Sequence, residues 1–374
     1  MGYNPNRSPD APPDSYRHLT ELLENQTQGG GAASFRAERM GDSATRHLGR
    51  TARDPASAGT GPETLFLVAS LSKPVVAAAA VILVENGLLT MDDRVGDLLP
   101  RFAQNGKSDV RLRHLLTHTS GLPDMPPNNR ELRARHEPIE RFVEEVERSP
   151  LAFQPGTAVA YQSMGFLALA GVIRAVSGLP CAEFLRREVF EPFGMTETSL
   201  GARAGTHHRI AEIHLEPDQE GTDWHWNTPY WLDFGAPWGG LVTTADDYAK
   251  FCRSFLMRGS PRILSDAGVR AMTTNQLDGF PSISDEERRC TPWGFGWRLH
   301  WPGRSDHFGD LLGPRAFGHW GATGTLCWVD PDASAFFVLL TTEPAGEHGR
   351  HLAVASNAAA AALTGRPLFS EKVK

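Results

Sequence analysis

The stretch that decides the fold is Thr64-Leu65-Phe66-Leu67-Val68-Ala69-Ser70-Leu71-Ser72-Lys73, followed by VVAAAAVILVENG (75–87). Its first part predicts a short strand. Its second part predicts a helix that is apolar on nearly every face, therefore buried, and that ends at Gly87. Ser70 and Lys73 stand at the junction, three residues apart. Because one helical turn brings position i+3 beside position i, we expect the Lys73 amine within reach of the Ser70 hydroxyl.

This pair has the chemistry of a nucleophile and its base. A serine hydroxyl attacks a carbonyl only when a base or cation activates it, and a partly buried lysine with a lowered pKa serves as that base. The N-terminus of the following helix adds free N–H groups and a positive dipole end. Taken alone, S-x-x-K is a common pattern and is more often an N-capping serine beside a solvated lysine.

Composition limits the classes of protein that this chain can belong to. The 374 residues suffice for two or three average domains or one large two-lobed unit. Hydrophobic residues make up 40% and charged residues 22%, which allows a sizeable core and excludes wholesale disorder. A net charge of -7, with no Lys/Arg-rich run, argues against a nucleic-acid partner.

The sequence contains no clear signal for export, membrane insertion or cysteine chemistry. The 4 cysteines show no C-x-x-C spacing, so neither a zinc knuckle nor a dense disulfide framework is expected. The start of the chain has no apolar run after a basic patch, and the longest apolar stretch, 75–84, is too short to span a bilayer. We therefore expect a globular cytoplasmic protein without a membrane partner.

The pattern along the chain predicts an α/β fold of the α+β type. Strands are expected on both sides of Gly41-Asp42 and late in the chain, where Asp330-Pro331-Asp332 joins two of them as a tight antiparallel turn. The other predicted elements are helices at 15–24, 139–146, 165–176, 246–257 and 352–363, and strands at 294–301, 317–320, 325–329 and 335–341. We predict a tail (1–14), an α/β domain (15–69 and 241–374) and a mostly helical domain (70–240). The active site is expected at their junction.

Five further motifs follow the S-x-x-K segment in order. They are LLTHTSGL (115–122), PGT (155–157), YQS (161–163), WGGLVTTADD (238–247) and GHWG (318–321). Each is weak alone, but the ordered series resembles the serine β-lactamase and penicillin-binding-protein superfamily, in its class C β-lactamase-like esterase branch. The resemblance covers about residues 15–363. It implies the β-lactamase-like fold, with an antiparallel sheet flanked by terminal helices and an inserted helical domain.

The resemblance also implies roles for individual residues. Ser70 is the acylated nucleophile and Lys73 its general base or proton shuttle. Tyr161 matches the catalytic tyrosine, whose phenolate-like oxygen exchanges a proton with Ser70 or the leaving group. The backbone N–H groups of Ser70 and Ala322 form the oxyanion hole. The residues expected to bind substrate are Ser163, Trp238, His319, Trp320 and Gly321, and neither a metal nor an organic cofactor is expected.

Two departures from the family pattern bear on the substrate. The penicillin-recognising members carry K-T-G as the third motif, whereas this chain has His319-Trp320-Gly321. A histidine is largely neutral at pH 7, so carboxylate-bearing β-lactams and peptide C-termini should bind less well. Tyr-x-Asn is replaced by Tyr161-Gln162-Ser163, which loses an amide for the acyl-amide group of a substrate. Because of both changes, we expect esterase activity rather than β-lactamase activity.

Other signals leave alternatives open. The segment Trp224–Trp238 is rich in tryptophan, and it either lines an apolar pocket or folds over the core as a lid. His207, His208 and His214 lack metal-binding spacing and are interpreted as solvated or satisfied. His118 is expected to shape the site structurally. No G-x-S-x-G elbow exists, which argues against an α/β-hydrolase.

We therefore expect a serine hydrolase, most like a carboxylesterase, that cleaves a small ester or amide with an apolar or aromatic group. The same acyl-Ser70 intermediate also suits an acyltransferase in biosynthesis, a D-amino-acid amidase or peptidase, or a weak β-lactamase. The alternative from another class is a non-catalytic ligand-binding relative. The presence of Ser70, Lys73 and Tyr161 together argues against it, because a retired site has no physical reason to keep an activated serine.

Overall fold

The structure is a computed structural model that describes residues 14–256, 262–300, 303, 306–346 and 349–365. The α-helices are α1 Arg17–Thr27, α2 Ser72–Glu85, α3 Val95–Leu98, α4 Leu112–Leu116, α5 Asn129–Ala134, α6 Ile139–Arg148, α7 Met164–Ser177, α8 Cys181–Leu185, α9 Pro229–Phe234, α10 Ala245–Arg253, α11 Asp266–Thr273, α12 Asp285–Cys290 and α13 Arg350–Leu363. The strands are β1 Ala32–Arg39, β2 Asp42–Gly49, β3 Phe66–Leu67, β4 Ser199–Leu200, β5 Leu241–Thr243, β6 Arg298–Leu299, β7 Phe317–Gly321, β8 Thr325–Asp330 and β9 Ala335–Thr341. Short 3₁₀ turns occupy Asp14–Tyr16, Pro100–Ala103, His207–Arg209, Gln276–Gly279 and Asp306–Phe308, and a π-helical turn occupies Arg186–Phe190.

A six-stranded antiparallel sheet organises the fold. Its strand order is β2-β1-β9-β8-β7-β6, so the N-terminal hairpin lies beside the C-terminal strands, with Ala33 opposite Thr341. The predicted turns at Gly41-Asp42 and at 330–332 both join antiparallel neighbours. A second, three-stranded sheet has the order β3-β5-β4 and carries the strand that leads to Ser70. The predicted mixed α/β fold with an antiparallel sheet is confirmed.

The central strand β9 is buried on both faces of the six-stranded sheet. Phe337 and Leu339 point into the core beneath the terminal helices α1 and α13, whereas Phe336, Val338 and Leu340 point into the main core. This alternation follows from the two-residue period of a strand. A strand covered on both sides reads as a continuous apolar run, as this one does.

Helix α2 lies at the centre of the main core. Its residues from Val75 to Leu83 are buried, which is why the segment is apolar on every face. It ends where predicted, with Gly87 at φ +70°. Every strand of the six-stranded sheet comes from the segments 15–69 and 241–374, but the domain boundaries themselves stay a prediction.

Local expectations differ from the structure at two places, and one lies outside the described residues. The predicted strand 294–301 is reduced to β6, because Gly296 turns the chain at φ +76° where a Cβ would overlap Ala77 of α2. Helix α10 ends at Arg253, short of the predicted residue 257, and Met257 lies outside the described residues. The predicted tail 1–14 also lies outside them except for Asp14.

The described residues contain no single helix long and apolar enough to cross a membrane. In this part of the chain, only the helices Met164–Ser177 and Cys181–Phe190 taken together are long and apolar enough, and the angle between them is 73°.

Candidate active site

The turn between β3 and α2 holds Ser70 in a strained backbone. Ala69 has φ +46°, a conformation that costs a residue with a Cβ free energy, so its surroundings must hold it there. Two threonine hydroxyls do so by donating to the carbonyls just before it. Thr323 Oγ1 donates to Leu67 O at 2.7 Å and Thr325 Oγ1 to Val68 O at 2.9 Å. The loop and strand next to the third motif therefore fix the start of the nucleophile turn.

Lys73 is joined directly to Ser70. Its Nζ donates to Ser70 Oγ at 2.9 Å and to the backbone carbonyl of Trp238 at 3.0 Å. The side chain is fully buried, and burial lowers its pKa to about 7, against the weaker opposing effect of the Asp124 carboxylate. Near neutral pH a large fraction of the amine is therefore uncharged and able to take a proton from Ser70.

Tyr161 lies beside the same pair of side chains, with its hydroxyl near that of Ser70. The hydroxyl oxygen is buried and makes no well-formed hydrogen bond to any described residue. Lys73 Nζ is 4.7 Å from the centroid of its ring. Burial raises the pKa of Tyr161, and the nearby Ser70 hydroxyl lowers it only in part. The resting side chain is thus a neutral phenol rather than the phenolate-like oxygen expected from the family.

Gly321 brings the third motif against the nucleophile turn. A Cβ at this position would overlap the carbonyl oxygen of Val68 and the hydroxyl of Thr325, and would lie 3.2 Å from Ala69 Cβ. The next residue, Ala322, is exposed in the turn after β7, and its N–H donates to no described group. This close approach leaves the Ala322 N–H free beside the Ser70 turn, which suits the predicted oxyanion hole.

His319 and Trp320 form the wall beside Tyr161. The His319 ring is fully buried, with its centroid 6.0 Å from that of Tyr161, and burial lowers its pKa to about 3. Its Nδ1 contacts the Trp320 backbone, while its Nε2 has no partner among the described residues. Trp320 stacks between Tyr161 at 6.0 Å and His307 at 4.5 Å. A neutral imidazole therefore stands where a lysine-bearing relative has a permanent cation.

The side chains of the remaining predicted residues, Trp238 and Ser163, make no contact with the catalytic residues among the contacts of the described residues. The Trp238 ring packs against Phe142 and Phe234, and it is the backbone carbonyl of Trp238 that reaches the site. Ser163 stands at the start of α7, where its N–H donates to the Asp124 carbonyl at 3.2 Å. No contact of its side chain with Ser70, Lys73 or Tyr161 is seen in the described part of the chain.

The tryptophan-rich segment mostly packs on the core. Trp226, Trp231 and Trp238 are buried in the main core. The guanidinium of Arg133 lies 4.1 Å from the centroid of Trp231. Phe234 in the same segment also lines a cleft of about 850 Å³ between α6 and α7, whose lining does not include Ser70, Lys73 or Tyr161. That the segment lines the substrate pocket therefore stays a prediction.

Side-chain hydrogen bonds around the nucleophile turn were not predicted from the sequence. Ser72 donates to Ala69 O at 2.7 Å and accepts from Leu241 N–H at 2.9 Å. Tyr248 donates from its hydroxyl to Leu71 O at 2.8 Å. No sequence signal distinguishes these hydroxyls, because the bonds to Leu241 N–H and Leu71 O join groups more than 160 residues apart in the chain.

Of the histidines interpreted as solvated or satisfied, His208 is exposed and the other two have acidic partners. His207 pairs with Asp233 and His214 with Glu343, each at 2.7 Å. Within the described ranges, no group of three or more His, Cys, Asp or Glu side chains is placed to hold a metal ion.

A serine, a buried lysine and a tyrosine gathered at the start of a core helix define a serine hydrolase of the β-lactamase fold. The chain belongs to the beta-lactamase family, whose model matches residues 25–362. The resemblance inferred from the ordered motifs is thereby confirmed.

Individual relatives cover several activities. A putative D-alanyl-D-alanine carboxypeptidase of Escherichia coli (strain K12) is 26% identical over 318 residues, or 78% of this chain and 71% of the relative. Among solved structures, EstCE1, a hydrolase with promiscuous acyltransferase activity, is similar with a TM-score of 0.75, 20% identity and coverage of 93% of this chain and 99% of its own. A family VIII carboxylesterase is similar with a TM-score of 0.72, 21% identity and coverage of 94% and 99%. At these identities, the structural neighbours establish the fold alone.

Proposed function

We propose that this protein is a carboxylesterase-type serine hydrolase that cleaves a small ester or amide through an acyl-Ser70 intermediate. The observation that carries the proposal is the 2.9 Å hydrogen bond between Lys73 Nζ and Ser70 Oγ. The lysine is fully buried and its pKa is lowered to about 7, so it acts as the base without a further partner.

The proton transfers follow from the two pKa directions. Neutral Lys73 takes the Ser70 proton as Oγ bonds to the substrate carbonyl carbon, and the N–H groups of Ser70 and Ala322 stabilise the oxyanion. The neutral Tyr161 phenol gives its proton to the leaving alkoxide or amine as that bond breaks, and recovers one from protonated Lys73. Water then attacks the acyl group by the reverse route, which releases the acid and restores Ser70.

The electrostatics of the cleft favour a substrate without a carboxylate. His319 is buried and its pKa is lowered to about 3, so it remains uncharged throughout the range in which Lys73 is active. A carboxylate placed beside it gains no ion pair and loses hydration, which is unfavourable. The partly exposed aromatic side chains of Tyr161 and Trp320 instead suit an apolar or aromatic acyl or alcohol group.

Intact-mass analysis after treatment with a fluorophosphonate tests the nucleophile. The wild type should gain one phosphonyl adduct, and Ser70→Ala should gain none. Ser72→Ala is the matched control, because its hydroxyl lies in the same turn but bonds only to backbone groups. An unlabelled wild type, or a labelled Ser70→Ala protein, would overturn the assignment.

Kinetics with a p-nitrophenyl ester chain-length series, set against nitrocefin, test the substrate class. We expect turnover of the esters with a kcat/KM well above that for nitrocefin. A preference for nitrocefin would contradict the proposal. Amine or alcohol acceptors added to the same assay distinguish hydrolysis from transacylation, since a transferase yields a new ester or amide in place of the free acid.

A further inference from the structure

His118 contacts the chain on both sides of Tyr161. Its backbone carbonyl accepts the Ala160 N–H at 2.9 Å, and its ring Nδ1 accepts the Gln162 N–H at 3.2 Å. Its imidazole lies against the Tyr161 ring, with centroids 4.7 Å apart. One residue thus bonds to the residues before and after the catalytic tyrosine and also packs on its side chain.

At its hydroxyl end, the phenol lies near the Ser70 hydroxyl, which lowers the pKa of Tyr161 against the effect of burial. Among the described residues, none forms a well-aligned hydrogen bond with the Tyr161 oxygen. Ring packing and the backbone that carries the side chain therefore contribute most of the contacts that position the phenol. The other aromatic neighbours, Trp293, His319 and Trp320, have centroids 6.0 Å from that of Tyr161, further away than His118.

The surroundings hold His118 rigidly in an unfavourable backbone conformation. Its φ is +59°, which a residue with a large side chain rarely adopts, and it has no exposed surface. Its ring centroid lies 4.3 Å from that of Trp293, in an edge-to-face arrangement, and 5.7 Å from that of Phe166. Because Nδ1 accepts a backbone N–H, the neutral ring carries its proton on Nε2. Strained conformations of this kind persist where the surrounding structure over-determines them, often at functional sites.

We propose that His118 is the positioning residue of Tyr161, holding the phenol beside Ser70 and Lys73 through the two backbone hydrogen bonds and the ring contact. The proposal rests on the function proposed above, since it acts through the catalytic tyrosine. It goes further by assigning a task to a histidine that is not among the residues expected to react or to bind substrate. A misplacement of about 1 Å at a catalytic group is enough to cost roughly 10²-fold in rate.

A double-mutant cycle separates this role from general support of the core. His118→Gly accommodates the positive φ but removes the ring and its acceptor, and should lower kcat for a p-nitrophenyl ester by about 10²-fold with KM changed by less than about threefold. In a Tyr161→Phe background the same substitution should lower kcat by less than about threefold, because the group that it positions is gone. Equal losses in the two backgrounds would overturn the proposal, as would an unchanged kcat in the single variant.

Two further variants make the result interpretable. His118→Asn tolerates a positive φ and keeps a side-chain acceptor, so it should recover part of the lost kcat and cover the case in which the glycine variant fails to fold. His114→Asn is the matched control, because His114 Nδ1 also accepts a backbone N–H, that of Arg111 at 3.0 Å, but its ring packs on Phe280 rather than on Tyr161. A loss of kcat in His114→Asn as large as in His118→Asn would contradict the proposal.

Fluorophosphonate labelling distinguishes failure of this proposal from failure of the proposed function. If the wild type is labelled at Ser70 while the His118 variants keep full kcat, only the positioning role is wrong. If the wild type is neither labelled nor active on esters, the nucleophile assignment fails and the positioning role fails with it.

Discussion

The amine of Lys73 donates a 3.0 Å hydrogen bond to the backbone carbonyl of Trp238, a residue 165 positions further along the chain. The other bond of that amine goes to Ser70 Oγ. A main-chain acceptor holds the amine in place without introducing a full negative charge, so the low pKa that burial produces is preserved. A carboxylate at the same position would pair with the ammonium and keep it protonated.

The first prediction concerns the pH dependence of activity. Because the pKa of Lys73 is lowered to about 7 and the neutral amine is the active form, kcat/KM for a neutral ester should rise with pH and level off above an inflection near 7. Steady-state kinetics between pH 5.5 and 9 measure it. A profile that is flat across this range, or that falls as pH rises through 7, would contradict Lys73 as the base.

The position of that inflection should depend on Asp124. This carboxylate raises the pKa of Lys73 against the effect of burial, so Asp124→Asn should move the inflection to lower pH. Asp97→Asn, an exposed acid that does not act on the pKa of Lys73, is the control and should leave the profile in place. An unchanged inflection pH in Asp124→Asn would show that the carboxylate does not affect the pKa of Lys73.

The buried amine should also cost stability, in a pH-dependent way. Between pH 7 and 10.5 the unfolded chain holds a protonated Lys73 and the folded protein a neutral one, so stability rises with pH across this window. Lys73→Met lacks this titration. We expect the variant to be inactive and more stable than the wild type at pH 7, with the difference shrinking by up to about 1.4 kcal/mol per pH unit towards pH 10. Urea unfolding at several pH values measures it, and a difference that does not change with pH would rule the effect out.

Gly321→Ala should damage the oxyanion hole. The added Cβ overlaps the Val68 carbonyl and the Thr325 hydroxyl, so β7 must move away from the Ser70 turn and take the Ala322 N–H with it. Loss of one such donor costs about 10²–10³ in kcat, with a smaller effect on KM. Gly61→Ala, where a Cβ meets open space, is the control and should keep wild-type kinetics. Unaltered kcat in Gly321→Ala would argue that the donor lies elsewhere.

His319→Lys should change both substrate preference and pH profile. A cation in this position can pair with a carboxylate, so KM for nitrocefin should fall about tenfold, as expected for a charge-assisted hydrogen bond. The same cation lies near Lys73 and disfavours its protonation, so the kinetic inflection should move below pH 7. His319→Gln, uncharged, should show neither change, and a fall in KM in both variants would exclude charge as the cause.

Much of the fold and the core of the site could be predicted from sequence because their signals are local. The three-residue spacing of Ser70 and Lys73 predicts their contact, since one helical turn joins them. The all-round apolar character of α2 predicts its burial, and the 330–332 turn predicts antiparallel pairing of β8 and β9. The resemblance of the ordered motifs to a known family predicted that Tyr161 and Gly321 lie in the same active site.

What could not be predicted depends on contacts between remote segments and on the backbone itself. The role of Trp238 was expected of its side chain, whereas its carbonyl makes the contact, and every residue has a carbonyl. The positive φ of Ala69 carries no local signal, because neither glycine nor asparagine marks it. The state of Tyr161 depends on burial, which sets its pKa only after the chain has folded.

The hydroxyls of Thr323 and Thr325 bond to Leu67 and Val68 across more than 250 residues, and β1 pairs with β9 across about 300. The conformation of the nucleophile turn is therefore completed by segments that leave the ribosome more than 250 residues after it. During translation, the segment around Ser70 emerges long before the partners that shape it. We expect nascent chains to remain catalytically silent until the segment from Thr323 to Thr341 has emerged, because the turn that carries Ser70 lacks its hydrogen-bond partners before then.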